Sequence, residues 1–315
     1  MKIKPNKAQG PDNIQAWMLR DLAPFIAQPV TAIFNSSIRD GYIPPIWKSA
    51  HISPLPKKSP PKKIESDIRP ISLTPLLAKE LERFVAKWIR QQTAHREDHL
   101  QFGNKQNVST THLLVNLLHN WAKALDEGKS IEAVFIDFTK AFDKIDHNIL
   151  MKKYETDNIS PFLLKWLSNF LFQRRQSVKI GNVVTDPLTL NGAVPQGAIM
   201  GLEAFITMVK DMKSKLPIFK YVDDSTLSYI LDRNKENTLL KQALDDILVW
   251  TKRNGMCMNP TKTKDMIISG TKEANIPKLT VGDQELERVT SSKLVGLHIQ
   301  NDLKWDTHVN YIVDS

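Results

Sequence analysis

Two short runs of alternating apolar residues flank a single tight turn. Ile218-Phe219-Lys220-Tyr221-Val222 reads as one strand and Thr226-Leu227-Ser228-Tyr229-Ile230 as its partner, with Asp223-Asp224 between them. A hairpin commits this part of the chain to antiparallel pairing, and Asp suits its turn because it tolerates positive φ. A second run, Ile131 to Ile136, reads as a buried strand and ends on Asp137. A carboxylate at a strand end together with an Asp pair on a hairpin is the oxygen-rich set that hard divalent cations take, with positions left open for phosphates and water. The plainer alternative makes Asp223-Asp224 an ordinary turn and Asp137 a strand-terminating residue.

Around this pair the pattern is mixed. Asp12 is placed to cap a short helix through Arg20. A helix from Pro24 to Asp40 stops at Gly41. Ser49 to Leu55 alternates like a strand, and residues 56–68 form a loop rich in Lys and Pro. Thr74-Pro75 starts a helix with Pro at its first position. Ser109 or Thr110 opens another that ends near Gly128, and Ser160-Pro161 opens a third through Phe172. Gln176–Ile180 and Val183–Leu190 flank a Gly181-Asn182 hairpin signal. Helices are expected over Ala198–Met212 and Lys235–Arg253, then a strand over Lys264–Ser269, a hairpin at Gly282-Asp283 and a strand over Lys293–Gln300. Helices dominate the first third, and no regular βαβ alternation follows. The expected class is therefore α+β with an antiparallel sheet.

Composition narrows the partners. The 315 residues are 41% hydrophobic and 24% charged, ordinary for a folded chain, and the net charge of +9 favours a polyanionic partner, nucleic acid before membrane. The single Cys257 excludes an intramolecular disulfide and a multi-cysteine zinc knuckle within the chain, and is expected as a small core residue. No apolar run approaches the roughly 18 residues of a membrane span, and Met1-Lys2-Ile3-Lys4-Pro5 has no signal-peptide core. A nuclear or cytoplasmic protein, not a secreted one, is expected.

Several segments, in order and over almost the whole chain, resemble the reverse transcriptases of LINE-type (non-LTR) retrotransposons, nearest to the jockey-like group. Gly10-Pro11-Asp12 resembles the N-terminal extension. Pro54-Leu55-Pro56-Lys57-Lys58 with Arg69-Pro70-Ile71-Ser72-Leu73 resembles the fingers motif, and Phe135-Ile136-Asp137-Phe138-Thr139-Lys140-Ala141-Phe142-Asp143 the first catalytic motif. Val194-Pro195-Gln196-Gly197 with Gly201, Tyr221-Val222-Asp223-Asp224, Asn259-Pro260-Thr261-Lys262-Thr263 and Leu294-Val295-Gly296-Leu297 match the motifs that follow.

The resemblance implies a right-hand polymerase core. Its fingers and N-terminal extension would span residues 1–125 and its palm 126–315, with the thumb largely absent. It implies an RNA-directed DNA polymerase that extends a DNA primer on an RNA template with deoxynucleoside triphosphates, using two Mg²⁺ ions, for which Mn²⁺ is a possible substitute. Asp137, Asp223 and Asp224 would be the catalytic metal ligands, Asp224 the least certain of the three. Lys57 or Lys58 and Arg69 would grip the triphosphate, Arg with a planar fork and Lys as a point charge. Phe142 would exclude a 2′-hydroxyl by its bulk. Gln196 and Gly197 would lie along the nucleotide and template base, and Lys262 would give a proton to pyrophosphate. Arg174, Arg175 and Lys179 are expected to face a phosphate backbone, while Asp143 and Asp146 read as solvated or capping groups.

The chain also departs from the family pattern. Ala193 and Ala198 replace a usual Gly and a usual Ser or Thr. Leu202-Glu203 stands where Pro and an apolar residue are usual, and Thr207 and Lys210 follow on the same helix. A charge facing a core is costly. A catalytically inactive retroelement remnant that at most binds nucleic acid is therefore the alternative. An RNA-templated RNA polymerase shares the palm logic, and Phe142 and the fingers motif argue against it.

Overall fold

A computed structural model describes residues 3–190, 192–231, 238–270 and 276–314. Helix α1 (Ala16–Asp21) follows Gln15, and Asp12 does not cap it: its carboxylate accepts the Ile14 amide at 3.3 Å. Helix α2 (Ala23–Asp40) ends on Gly41 at φ +60°, where the amides of Gly41 and Tyr42 donate back to the carbonyls of Ile38 and Ser37. Strand β1 (Ser49–Pro56), the single turn α3 (Ile64–Asp67) and strand β2 (Ile68–Leu73) follow. Helix α4 (Leu76–Thr93) starts one residue after Pro75. Helix α5 (Thr110–Asp126) opens on a capping box in which the Ser109 amide donates to His112 Nδ1. Strand β3 (Ser130–Ile136) leads through a turn segment to α6 (His147–Thr156), whose N-cap Asp146 accepts the amides of Asn148 and Ile149.

After α7 (Pro161–Leu171) come β4 (Arg175–Ile180), a turn at Gly181, β5 (Val183–Val184) and β6 (Leu188–Thr189). Helix α8 (Ile199–Val209), the hairpin of β7 (Ile218–Tyr221) and β8 (Asp224–Leu231), and helix α9 (Thr238–Arg253) are next. The expected start of α9 at Lys235 lies outside the described residues. Strand β9 (Lys264–Ile268) precedes the small hairpin of β10 (Thr280–Val281) and β11 (Gln284–Glu285), then β12 (Glu287–Arg288). The single strand expected over Lys293–Gln300 is instead a hairpin. Strands β13 (Ser291–Leu294) and β14 (Leu297–Gln300) turn at Val295-Gly296, with Gly296 at φ +97°. Helix α10 (Asp306–Val313) closes the described chain. No helix among the described residues is long and apolar enough to cross a membrane.

The chain packs as two compact units, each built from two stretches: Met1–Glu97 with Ile145–Met208, and Asp98–Lys144 with Val209–Ser315. The first holds a sheet in the order β2-β1-β4-β5, with β6 also on β4. β1 and β2 are antiparallel, whereas β1 and β4 are parallel. Pro70 is tolerated in β2 because that strand lies at the sheet edge. The charge that stands out of pattern at Glu203 is matched inside this unit. Buried Glu203 accepts from Arg90 Nε at 2.7 Å. Arg174 is 1% exposed and so does not face solvent: its guanidinium lies 4.6 Å over the Phe170 ring and within electrostatic reach of buried Glu82.

The second unit is a sheet in the order β12-β9-β3-β8-β7, antiparallel except for the β12–β9 edge. Every residue of β3 is buried. Ile131, Ala133 and Phe135 meet Leu113, Leu117, Trp121 and Ala124 of α5 in one core. The other face of β3 carries Glu132, fully buried beside Asp265 of β9 and Arg288 of β12. Arg288 Nε donates to Asp265 Oδ2 at 2.7 Å and Nη2 to Glu132 Oε1 at 3.0 Å, while Nη1 and Nη2 also bond the carbonyls of Ile276 and Pro277. Cys257 is exposed, contrary to expectation, because its neighbours Met256 and Met258 take the inward positions.

One arginine does not neutralise two carboxylates. Burial, and then the charge of Asp265, push the Glu132 carboxyl up to about 8, so that it keeps its proton at neutral pH. The folded chain therefore holds this proton more tightly than the unfolded chain, where glutamate titrates near 4.5. The contribution is fully present below the unfolded value and is lost as pH rises to about 8. The melting temperature is expected to fall over this window. Glu132→Gln, which donates at every pH, is expected to flatten that dependence; a variant with the parent's slope would place the proton elsewhere.

Candidate active site

Strand pairing assembles three carboxylates in the second unit. The β3–β8 register ends at Ile136 opposite Ser225, so its continuation sets Asp137 opposite Asp224. The β7–β8 register ends at Tyr221 opposite Asp224, leaving Val222-Asp223 as a two-residue turn. Asp223 and Asp224 reach solvent on one side and are crowded by protein on the other. Burial is the first cause that raises both carboxyls above the usual range. The charge of Asp137 adds to it at Asp223, and the charges of Asp223 and then Asp137 add to it at Asp224, which is pushed up to about 6.

The backbone of Asp137 is held as well. Its amide donates to Thr263 Oγ1 at 3.2 Å and its carbonyl accepts the Asn259 amide at 2.8 Å. Phe138 bridges to Met258, and the Thr139 amide donates to the Cys257 carbonyl. The loop 257–263 thus runs alongside the end of β3, with Lys262 exposed upon it. Phe142 is half-buried in the turn segment that leads on from Asp137.

The donor set fits a hard divalent cation, because it supplies three carboxylates whose mutual repulsion such an ion would relieve. The side chains are not drawn together in advance: among the described residues, no group of three or more His, Cys, Asp or Glu forms a ready metal-holding set.

The remaining sequence-predicted residues belong to the first unit. Lys57 and Lys58 follow β1, and Arg69 pairs with Leu55 across the β1–β2 hairpin. All three are exposed. Buried Asp67, which carried no sequence signal, organises this basic loop. One carboxylate oxygen takes the Lys58 ammonium at 3.0 Å, the other accepts the amides of Lys62 and Lys63, and its carbonyl accepts the Lys57 amide. Lys58 is thereby engaged, while Arg69 points outward from an edge strand.

Gln196 and Gly197 come to the same sheet by backbone. The Gln196 carbonyl accepts the Ser72 amide at 2.8 Å. Gly197, at φ +104°, passes so near Ser72 that a Cβ would lie 3.3 Å from its carbonyl oxygen. Glu82 secures the helix that follows this motif, its carboxylate accepting the Met200 amide at 3.0 Å from a fully buried position. Sequence patterns also gave no sign of Gln101 and Gly103, which lie against the Val222 turn.

Residues 55–308 match the family model described as reverse transcriptase (RNA-dependent DNA polymerase). The chain is 29% identical over 271 residues to a probable RNA-directed DNA polymerase from transposon BS of Drosophila melanogaster, covering 82% of this chain and 30% of the relative. It is 23% identical over 327 residues to the RNA-directed DNA polymerase from the mobile element jockey of the same species, covering 99% and 35%. The chain thus spans about a third of the length of these relatives. Among solved structures, telomerase from Candida tropicalis, in complex with a fragment of telomeric RNA, superposes with a TM-score of 0.55 at 14% identity, over 93% of this chain and 49% of that one. Telomerase from Candida albicans gives 0.51 at 14% identity, over 86% and 48%. At this identity the likeness is one of fold, and it agrees with an α+β polymerase core.

The crowding of the three carboxylates can be measured directly. In an NMR titration the Asp224 carboxyl is expected to have its midpoint near 6. Asp223→Asn and Asp137→Asn should each lower it by removing a like charge, yet leave it above the ordinary aspartate range because burial is the larger cause. An unshifted midpoint in both variants would show that the three groups do not sense one another.

Proposed function

The chain belongs to the reverse transcriptase family, and we propose that it is the polymerase part of a non-LTR retrotransposon protein that copies an RNA template by extending a DNA primer. The observation that carries this reading is the placement of Asp137, Asp223 and Asp224 at one end of one sheet, within a chain that matches the family from residue 55 to 308. Reverse transcriptases generally use divalent metal, and two Mg²⁺ ions, with Mn²⁺ as a substitute, are the proposed cofactors. Bound between carboxylates, such ions lower the pKa of an attacking hydroxyl and offset charge on a leaving pyrophosphate. Asp137, Asp223 and Asp224 would hold them.

The other assignments rest on the family resemblance together with position. Arg69 and Lys57 would bind triphosphate oxygens. Lys58 would exchange its ion pair with Asp67 for the same role. Gln196 and Gly197 would border the nucleotide and template base, where a glycine lets backbone approach closely. Phe142 would exclude ribonucleotides by its ring, and Lys262 would protonate the leaving pyrophosphate. A nuclear or cytoplasmic site of action is part of the same proposal. The drift at Glu203 does not favour the inactive remnant, since Arg90 matches that charge.

Primer extension on an RNA template with Mg²⁺ or Mn²⁺ tests the reading. Asp223→Asn is expected to cut turnover at least about 100-fold, a loss that acts on the transition state rather than on substrate affinity. Phe142→Val should retain deoxynucleotide use while raising ribonucleotide incorporation. Binding to RNA–DNA duplex should weaken steeply between low and physiological salt, as phosphate neutralisation by Lys and Arg requires. A chain that extends no primer with either metal is the remnant instead.

A further inference from the structure

We propose that Gln101 is the positioning clamp of the Val222-Asp223 turn, its buried side-chain oxygen holding Val222 in the left-handed conformation that presents Asp223, and Asp224 at the start of β8, beside Asp137. The role of the turn rests on the function proposed above; the clamp itself rests on geometry. Val222 has φ +59°, and a β-branched residue is a genuine outlier there. Such a conformation persists only when its surroundings over-determine it.

The surroundings are the segment Asp98–Gly103. Gln101 is 2% exposed, and its Oε1 accepts two backbone amides, from Val222 and from Gly103, each at 2.9 Å. Both partners are donors, so the oxygen rather than the nitrogen must face them. Gly103 completes the fit: a Cβ there would lie 2.6 Å from Val222 Cγ2 and 2.7 Å from the Val222 nitrogen.

The clamp is itself anchored to the strand that enters the turn. The Lys220 amide donates to the Leu100 carbonyl and the Phe102 amide to the Lys220 carbonyl, both at 2.8 Å. The buried Lys220 ammonium donates to Asp98 Oδ2 at 2.8 Å and to the carbonyls of Val209 and Met212 at 3.1 and 2.8 Å. With one side fastened at Lys220 and the strained residue held at Val222, the turn has little freedom before Asp223. The hydrogen bonds of Gln101 go to backbone amides and its Nε2 has no partner among the described residues, so it acts through the backbone as a positioning residue.

The test combines NMR with Mn²⁺ binding, both on the full chain. In the unmodified protein the Val222 amide should exchange slowly with solvent and its coupling constant should report positive φ; an extended Val222 overturns the clamp without any variant. In Gln101→Leu the Val222 amide should exchange at least tenfold faster and Mn²⁺ affinity should fall about tenfold. Val222→Gly adopts the left-handed conformation without strain. In that background Gln101→Leu should weaken Mn²⁺ binding less than threefold, because little strain is left to hold. An equal loss in both backgrounds would reduce Gln101 to a general stabilising residue and overturn the proposal. Asp223→Asn separates the two readings. If it abolishes Mn²⁺ binding while Gln101→Leu does not alter it, the metal site stands and the clamp falls. If Asp223→Asn leaves Mn²⁺ binding intact, the metal reading falls and the clamp is decided by Val222 exchange.

Discussion

Every residue of β3 from Ser130 to Ile136 is buried, so both faces of the strand must be covered and any charge on it must be matched. One face meets the apolar side of α5 around Trp121. The other holds Glu132, whose carboxyl is bonded by the Arg288 guanidinium that also bonds Asp265. That grouping joins β3, β9 and β12 through side chains as well as through backbone. It fixes the register of the strand that ends on Asp137, and a slip of one residue would exchange its two faces. The position of the candidate site thus depends on a buried ion group well back along the strand.

What was legible in the sequence was what short-range pattern encodes. The β7–β8 hairpin, β3 and the amphipathic helices α4, α5, α7 and α9 follow from periodicity, and the stop at Gly41 from its left-handed conformation. Strand β2 carries no strand signal because Pro70 interrupts it, and only its edge position makes the proline admissible. Helix α6 was hidden behind a polar stretch in which Asp146 was read as a capping group without the helix that it caps. Arg174 looks like a surface cation, and nothing in its own segment tells that it is buried within electrostatic reach of Glu82. The placement of Asp137 at a strand end and of Asp223 and Asp224 at a hairpin was legible because strand ends and turns are local. Asp67 and Gln101 were not, because no motif marks the amides that Asp67 gathers and Val222, which Gln101 bonds, is distant in sequence.

Chain order also concealed how the elements group. Each compact unit takes its residues from two stretches, so a single cut near residue 125 separates neither. The parallel pairing of β1 with β4 shows why: strands in that arrangement need a long connection, and here it includes residues 98–144, which pack in the other unit. The sequence-predicted residues consequently fall into two sets, each brought together by its own sheet. Lys57, Lys58, Arg69, Gln196 and Gly197 collect around β1 and β2, and Asp137, Asp223, Asp224 and Lys262 around the end of β3.

The candidate site combines two unfavourable features that an ordinary turn would avoid. Val222 is held in a conformation that its branched side chain resists, and the carboxylates beside it raise one another's pKa. Neither feature serves the stability of an ion-free chain: a glycine at 222 would remove the first, and an amide at 224 would ease the second. Both acquire a purpose if the turn exists to present concentrated negative charge in a fixed direction, because a divalent cation converts the repulsion into attraction while the strained backbone sets the aim. A simple turn would need no buried glutamine beneath it and no glycine excluded from having a Cβ. The expense of the support around Val222 is the physical argument that the Asp pair is more than a connection between two strands.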